Sequence, residues 1–452
     1  MKIVIIGLGT IGKTILKRLA GDEHTITVID EDKDLIESVI ETYDVFGLVG
    51  NGACMEIQAE AKVGNADLVI VLTRNDELNV FACLVAKRLG AQNTIARVRN
   101  PNYRKQIAAM KDTLGISIVV NPERETANEI FNMISLPSVA RVEQFARGKA
   151  LLVEVVAEKG CKMVGESLIS LNKKLSSRFL VCAVQRGSQV IIPSGRFTID
   201  QGDKIYFTAD AKKLDDFLSE IGMLKQPYKN IMIVGGGKVG FYLADLLSQK
   251  KRYAVKIIEE NAVRAEELAE TLPNVTVVCG NGMQHDLLIE EGIEAIDAFV
   301  ALTDGDEENI LVSMFANKMN VKKTITQIQS GDLFEMVGDL SIINNVSTKY
   351  IVANRIIGYV RALTNAQGSN VRNMYRLVND QVEALEFAAN TPEAIYNTPL
   401  KDLKIRKNCL IAAIIRNNTV IIPDGSSDIR LGDSVVVVTT CRNFDDLTDA
   451  FE

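Results

Sequence analysis

Three glycines spaced as Gly7-Leu8-Gly9-Thr10-Ile11-Gly12, followed by a carboxylate at Asp30, are residues whose types and spacing carry a chemistry. Gly7 permits a tight turn. Gly9 leaves no Cβ where a pyrophosphate must approach the backbone, and Gly12 lets a helix pack close to a strand. The N–H groups around Thr10 and Ile11 would face the phosphates at the positive end of that helix. Asp30 would accept hydrogen bonds from a ribose 2′-OH, which favours NAD(H) over a 2′-phosphorylated cofactor. The competing reading is a turn whose glycines serve packing alone.

The same constellation returns later in the chain, as Gly235-Gly236-Gly237-Lys238-Val239-Gly240 with Glu259. In a doubly wound sheet a ligand lies across the carboxyl ends of the strands, so residues just past each strand are the other candidates. In the first half these are Asn51 and Gly52, Thr73 and Arg74, then Arg97 and Arg99. Asn51 either contacts an adenosine or makes a turn. Arg97 and Arg99, placed on one face by strand alternation, either reach a phosphate or carboxylate or stay at the surface. The second half offers Asn281 and Thr303, but Gln327 and Gln329 replace the two arginines. That loss of positive charge should change which anion the second site tolerates.

The elements that must position these residues alternate strictly. Strand-like runs at 2–6, 25–29, 45–49, 67–72, 94–98 and 116–120 are separated by helical stretches at 13–20, 32–43, 55–63 and from the Thr73 cap box to Leu89. The apolar run at 67–72 is typical of a strand buried on both faces of a parallel sheet. Asn121-Pro122-Glu123 is a strong helix start, and that helix runs to about Ser135. From Arg141 the pattern shifts to short alternating strands at 150–156, 180–185, 189–192 and 204–208, a small α+β domain ending near Gly222. Residues 223–229 read as a linker.

The second half repeats this plan. Gly280-Asn-Gly282 matches Gly50-Asn-Gly52, Asp306-Glu-Glu-Asn309 matches Asp76-Glu-Leu-Asn79, and Gly432-Asp433 matches Gly202-Asp203. The expected fold class is α/β: two Rossmann-like doubly wound parallel-sheet domains (1–136 and 229–366), each followed by a small α+β domain (137–222 and 367–452).

Composition excludes several functions. A net charge of −7 over 452 residues gives no basic footprint for nucleic acid. No uncharged apolar run approaches the roughly 18 residues of a membrane span, and because the sequence opens on a strand of the fold no signal peptide is expected. Seven scattered cysteines without a C-x-x-C pair suit reduced, mostly buried thiols in the cytoplasm. With two histidines, no tyrosine followed four residues on by lysine, and no metal-ligand spacing, no catalytic constellation is visible. Two nucleotide sites without attached chemistry suggest sensing. An NAD-dependent oxidoreductase is the alternative, and it needs a proton relay.

On the glycine turn with Asp30, Gly50-Asn-Gly52, Ala66-Asp67 leading to Thr73, the Asp76-Glu77-x-Asn79 box, Ala96-Arg-Val-Arg99 and the doubled layout, the chain resembles the peripheral NAD-binding subunits of Trk potassium-uptake systems (the TrkA family), tandem proteins of the RCK/KTN class. The resemblance covers essentially the whole length. It implies a cytoplasmic homo-tetramer forming a ring of nucleotide domains. That ring would dock on a membrane potassium transporter of Trk or Ktr type and gate it as NAD(H), or ATP and ADP, binds. It also implies that the helix from Pro122, repeated near 348–363, crosses onto the neighbouring nucleotide domain. The run Gly235-Gly236-Gly237 with Lys238 departs from the pattern, and leaves the second ligand less defined.

Overall fold

The computed structural model describes residues 1–452 except 22–23, 112, 136–140, 146–149, 159, 188, 211–212, 224–227, 339–343, 367–370, 378–380, 391–392, 418, 442–443 and 445. β-Branched and aliphatic runs build the first sheet from β1 (Lys2–Ile6), β2 (Thr25–Asp30), β3 (Phe46–Val49), β4 (Leu68–Val71), β5 (Asn93–Arg97) and β6 (Ile118–Val120). The order is β3-β2-β1-β4-β5-β6, parallel throughout. Every residue of β4 is buried, as a strand covered on both faces requires. The chain reverses direction across the sheet between β1 and β4, which opens a crevice at their carboxyl ends.

The helices are α1 (Thr10–Leu19), α2 (Lys33–Thr42), α3 (Met55–Glu60), α4 (Asp76–Leu89), α5 (Pro101–Met110) and α6 (Pro122–Ser135). α1 buries Ile15, Leu16 and Leu19 and turns Lys13, Lys17 and Arg18 outward. Asp32 caps α2 by accepting the Leu35 N–H, and Asn75 caps α4 by accepting that of Leu78.

Next comes an antiparallel sheet of β7 (Arg141–Phe145), β8 (Ala150–Val156), β9 (Leu180–Arg186), β10 (Gln189–Ile191) and β11 (Lys204–Asp210), in the order β10-β9-β11-β8-β7, with α7 (Leu168–Lys174) and α8 (Leu214–Glu220). β7 pairs along the edge of β8 and is a strand the sequence pattern did not include.

The second half builds β12 (Asn230–Val234), β13 (Ala254–Glu259), β14 (Val275–Cys279), β15 (Ala298–Ala301), β16 (Lys323–Gln327) and β17 (Asn344–Val346), ordered like the first sheet. Its helices are α9 (Lys238–Ser248), α10 (Ala262–Thr271), α11 (His285–Glu290), α12 (Asp306–Lys318), α13 (Gly331–Gly338) and α14 (Thr348–Ala366). β18 (Val371–Leu377), β19 (Val382–Ala388), β20 (Cys409–Arg416), β21 (Thr419–Ile421) and β22 (Ser434–Thr439) close the chain as a second antiparallel sheet.

The four sheets group as two compact units rather than four beads in series: residues 1–134 with 228–357, and 135–227 with 358–452. In the first unit α6 leaves its own domain. Its Ala127, Ile130 and Ile134 lie in one core with Tyr242, Leu243, Leu247 and Val346 of the second Rossmann domain. α14 in turn meets α1, where Arg18 hydrogen-bonds Asn354 and lies over the Tyr350 ring. The two helices touch near their starts, Thr126 Oγ1 to Thr348 Oγ1 at 2.9 Å and Arg355 to Glu125 at 3.2 Å. α14 extends beyond the expected end at Leu363.

In the second unit the two small sheets share a core of Leu152, Ala183 and Tyr206 with Ala384, Ala412 and Val436, and Thr208 Oγ1 donates to the Ala412 carbonyl at 2.6 Å. In each small domain an arginine forks onto a buried aspartate. Arg186 meets Asp203 at 2.8 and 2.7 Å, and Arg416 meets Asp433 at 3.0 and 2.8 Å. The expected linker 223–229 is shorter than its sequence suggests, because Met223 and Tyr228 are buried in separate cores; 224–227 lie outside the described residues.

Candidate functional site

Leaving Gly236 aside, the six glycines that the two turns share fall into two kinds. At Gly7 (φ +92°) an added Cβ would stand 2.9 Å from the Leu72 carbonyl carbon, and at Gly12 2.2 Å from the Gly7 oxygen. Gly235 (φ +104°) and Gly240 repeat those clashes, so these four serve the turn itself. Gly9 and Gly237 are different. Each has ordinary β-region φ/ψ, and a Cβ there would meet nothing within 4 Å. Neither backbone nor packing calls for glycine at these positions. The open space left there is one that a dinucleotide pyrophosphate would fit.

Thr10 and Lys238 begin helices α1 and α9 directly above these cradles. Ile11 is half-buried behind Thr10. Leu8 and Val239 bury their side chains in the core, so only their backbones face outward.

The acids hold the turns. Asp30 Oδ2 accepts the Leu8 N–H at 2.6 Å while Oδ1 accepts that of Asp32. Glu259 Oε2 accepts the Gly236 N–H at 2.7 Å while Oε1 accepts that of Asn261. This explains the extra glycine of the second turn. A Cβ on Gly236 would lie 2.8 Å from Glu259 Oε2 and 2.4 Å from Leu268 Cδ1, so the longer acid requires the smaller neighbour.

Past the third strands, Asn51 and Asn281 close Asx turns by accepting the N–H of Ala53 and Met283 at 2.8 Å. A Cβ on Gly52 or Gly282 would strike Ile6 or Val234, so these glycines pack. The Asp-Glu-x-Asn boxes act as clips between strand ends. Asn79, fully buried, accepts from the N–H and hydroxyl of Thr73 and donates to the carbonyls of Thr73 and Arg97. Asn309 does the same with Thr303 and Gln327. Asp76 accepts the N–H groups of Arg99 and Asn100, and Asp306 those of Gln329 and Ser330. Buried asparagines at such a latch were written in the sequence as a recurring box without a stated role.

Both arginines are engaged by groups of their own domain. β5 ends at Arg97, and Arg99 lies two residues beyond the strand. Arg97 is half-buried and donates Nη1 to the Thr73 carbonyl; burial first, then the charge of Arg99, pulls its guanidinium below the usual arginine range. Arg99 instead pairs with Glu123, in the first turn of α6, at 2.5 Å. It also lines the second domain's cleft.

That cleft, about 1340 Å³, is bounded by Gly235, Gly237, Lys238, Glu259, Asn281 and Thr303 on one side and by Arg74, Arg99 and Tyr103 of the first domain on the other. The second site is therefore not short of positive charge. Gln327 and Gln329 point their amides at the Thr348 hydroxyl at the start of α14, at 3.0 and 3.5 Å.

His24 approaches the Met1 amino group, and His285 stacks flat on Phe315 with 3.9 Å between centroids; neither borders the cleft. The thiols are mostly buried as expected, Cys54 and Cys279 being exposed, and burial pushes the thiol pKa values of Cys83 and Cys182 up to about 12. No group of metal-ligating residues occurs among the described residues, nor is any helix there long and apolar enough to cross a membrane.

Paired Rossmann domains with exchanged helices, each followed by a small antiparallel sheet, define a tandem protein of the RCK type. The GsuK channel bound to NAD superposes with a TM-score of 0.64 at 16% identity, over 97% of this chain and 76% of that one. GsuK bound to ADP does so at 0.50 and 14%, over 81% and 69%.

In sequence, the TrkA-N domain matches residues 3–122 and 231–348, and the TrkA-C domain residues 152–222 and 384–452. The chain is 32% identical over 448 residues to the Trk system potassium uptake protein TrkA of Vibrio alginolyticus, covering 98% of this chain and 97% of the relative. It is 34% identical over 448 residues to TrkA homolog 1 of Methanosarcina mazei, with 97% of each covered. The chain belongs to the TrkA family.

Proposed function

We propose that this chain is the cytoplasmic regulatory subunit of a membrane potassium transporter of Trk or Ktr type, working as a homo-tetramer. It binds NAD(H), or ATP and ADP, in two Rossmann clefts. Residues 1–136 and 229–366 form the nucleotide domains, and 137–222 and 367–452 the small ones. The observation that carries the reading is the pair of cradles at Gly9 and Gly237, where glycine is needed by neither turn nor packing. The names of the relatives, and solved neighbours holding NAD and ADP, support the ligand class and the partner.

For a nucleotide to regulate, it must bind two arrangements of the paired domains with different affinity, since equal affinity shifts nothing. α6 and α14 suit that role, because each begins beside one glycine-turn domain and packs on the other.

Calorimetry on the full chain tests the reading. The parent should bind NADH or ATP, and Gly9→Val should remove first-cleft binding with little loss of Tm, because an added Cβ there meets no protein atom within 4 Å. No steady NADH oxidation should accompany binding. Ordinary dehydrogenase turnover with a simple carbonyl substrate would move the reading to an oxidoreductase, and a parent that binds no nucleotide would end it.

A further inference from the structure

One end of the second small sheet gathers two thiols around a single hydroxyl. Cys409 opens β20 and faces Thr439, the last residue of β22, across the ladder. The Thr439 side chain is fully buried. Its Oγ1 lies 3.2 Å from Cys409 Sγ and accepts the Cys441 N–H at 3.0 Å. Just past the strand the chain therefore bends back, and Cys441 packs on the core that contains Cys409. The two thiols also act on each other directly. Burial raises the Cys409 thiol above the ordinary cysteine range, the Thr439 hydroxyl opposes the rise, and the neighbouring Cys441 thiol adds to it through charge and hydrogen bonding.

Exposure separates the two. Cys409 is 7% exposed, whereas Cys441 is half-buried and reachable from solvent. The corresponding positions of the first small domain, in register with Gly202-Asp203 against Gly432-Asp433, hold Phe179, Ala209 and Ala211. That repeat closes its sheet without sulfur, so packing alone does not call for a thiol pair. A single buried cysteine behaves as a small apolar residue. Two in contact, one of them open to solvent, are a dithiol. Diagonal neighbours in a regular ladder stand about 7–8 Å apart, at the limit that a disulfide spans. Cys441 lies beyond the end of β22, so closing the pair needs movement of a turn and no loss of ladder pairing.

We propose that Cys409 and Cys441 are a redox-active pair that closes to a disulfide when the protein meets a two-electron oxidant of the peroxide class, Cys441 being oxidised first and Cys409 resolving it. The Cys441 thiolate attacks one oxygen of hydrogen peroxide. The O–O bond breaks, and the departing hydroxide takes up a proton and leaves as water. The Cys409 sulfur then attacks the sulfenic sulfur of Cys441, the S–O bond breaks, and the oxygen leaves as water with the Cys409 proton. Two thiols lose two electrons, and one peroxide becomes two waters. A dithiol reductant reverses the step. The bond joins the start of β20 to the segment that closes the chain, where the Arg406 N–H bonds to Ala450 and Ile405 bridges to Phe451. The second small domain thus carries a redox-operated staple that the first lacks. The nucleotide clefts play no part in it.

The test uses the full chain with Cys54→Ser and Cys279→Ser, which removes the exposed thiols elsewhere. After treatment with hydrogen peroxide, and alkylation of the remaining thiols in denaturant, peptide mapping should find one linked pair, Cys409 with Cys441, released by dithiothreitol. Closure should raise the Tm of the small-domain unit by about 5 °C or more. Cys409→Ala should leave Cys441 as a sulfenic acid that a dimedone probe captures. Cys441→Ser should leave Cys409 reduced, and its Tm should not respond to peroxide. The proposal fails if both thiols alkylate fully after peroxide, or if Cys441 is oxidised without linking to Cys409. It fails too if peroxide moves the Tm of Cys441→Ser as much as that of its parent. Sulfenic acid on Cys409 in Cys441→Ser would overturn the assigned roles, and a linked pair with unchanged Tm would overturn the staple.

Discussion

Asp30 clamps the Leu8 N–H that shapes the turn, and under the proposed function the same carboxylate would also meet a ribose hydroxyl. Asp30→Ala should therefore weaken NADH binding at the first cleft by about 1–3 kcal/mol, read by calorimetry; unchanged affinity would remove Asp30 from the site. The glycines and acids were legible in the sequence because their geometry is local: strand, turn and helix follow within some thirty residues. Asn79 was not. Its four hydrogen bonds tie β4 to β5, and pairing between strand ends is invisible until the sheet is assembled. The surroundings of Arg99 were hidden for the same reason, since Glu123 belongs to α6 and the far side of the cleft comes from another domain.

At the scale of elements, α6 was correctly bounded from Pro122 to Ser135 because proline, asparagine and acid mark its start. Its destination was implied only by family resemblance. Nothing in the spacing of Ala127, Ile130 and Ile134 says whether the apolar stripe covers its own sheet or another's. Ile130→Ala should cost about 2–5 kcal/mol, the scale for truncating a fully buried aliphatic side chain. In thermal unfolding of the full chain, the loss should appear in the transition of the paired Rossmann domains. A variant with parental Tm would show that α6 is not seated as described.

For the whole molecule, the doubling was plain from sequence, whereas the pairing of like with like was not. The small domains also carry the clearest response to pH. Burial opposes the charge on Asp203, but the Arg186 fork and the Asp200 N–H together hold its carboxyl below the ordinary aspartate value. A lowered folded-state pKa means that its stabilisation is full above the unfolded value of about 3.9. It is lost as pH falls through the folded value. Arg186→Gln should lower stability at neutral pH, by an amount that solvent screening reduces because Arg186 is 39% exposed. It should also move the acid unfolding midpoint to higher pH. An acid midpoint that does not move would mean the fork contributes nothing.

The crossing of α6 onto a domain encoded more than a hundred residues later also sets a clock for synthesis. The helix is complete at Ser135, but the core that receives it includes Val346. At roughly 5–20 residues per second, its apolar stripe waits on the order of 10–40 s for the seat to be made. During that interval the nascent first half presents a sticky surface that only its own unfinished remainder, or another copy, can cover. Folding of this chain is thus tied to the pace of the ribosome.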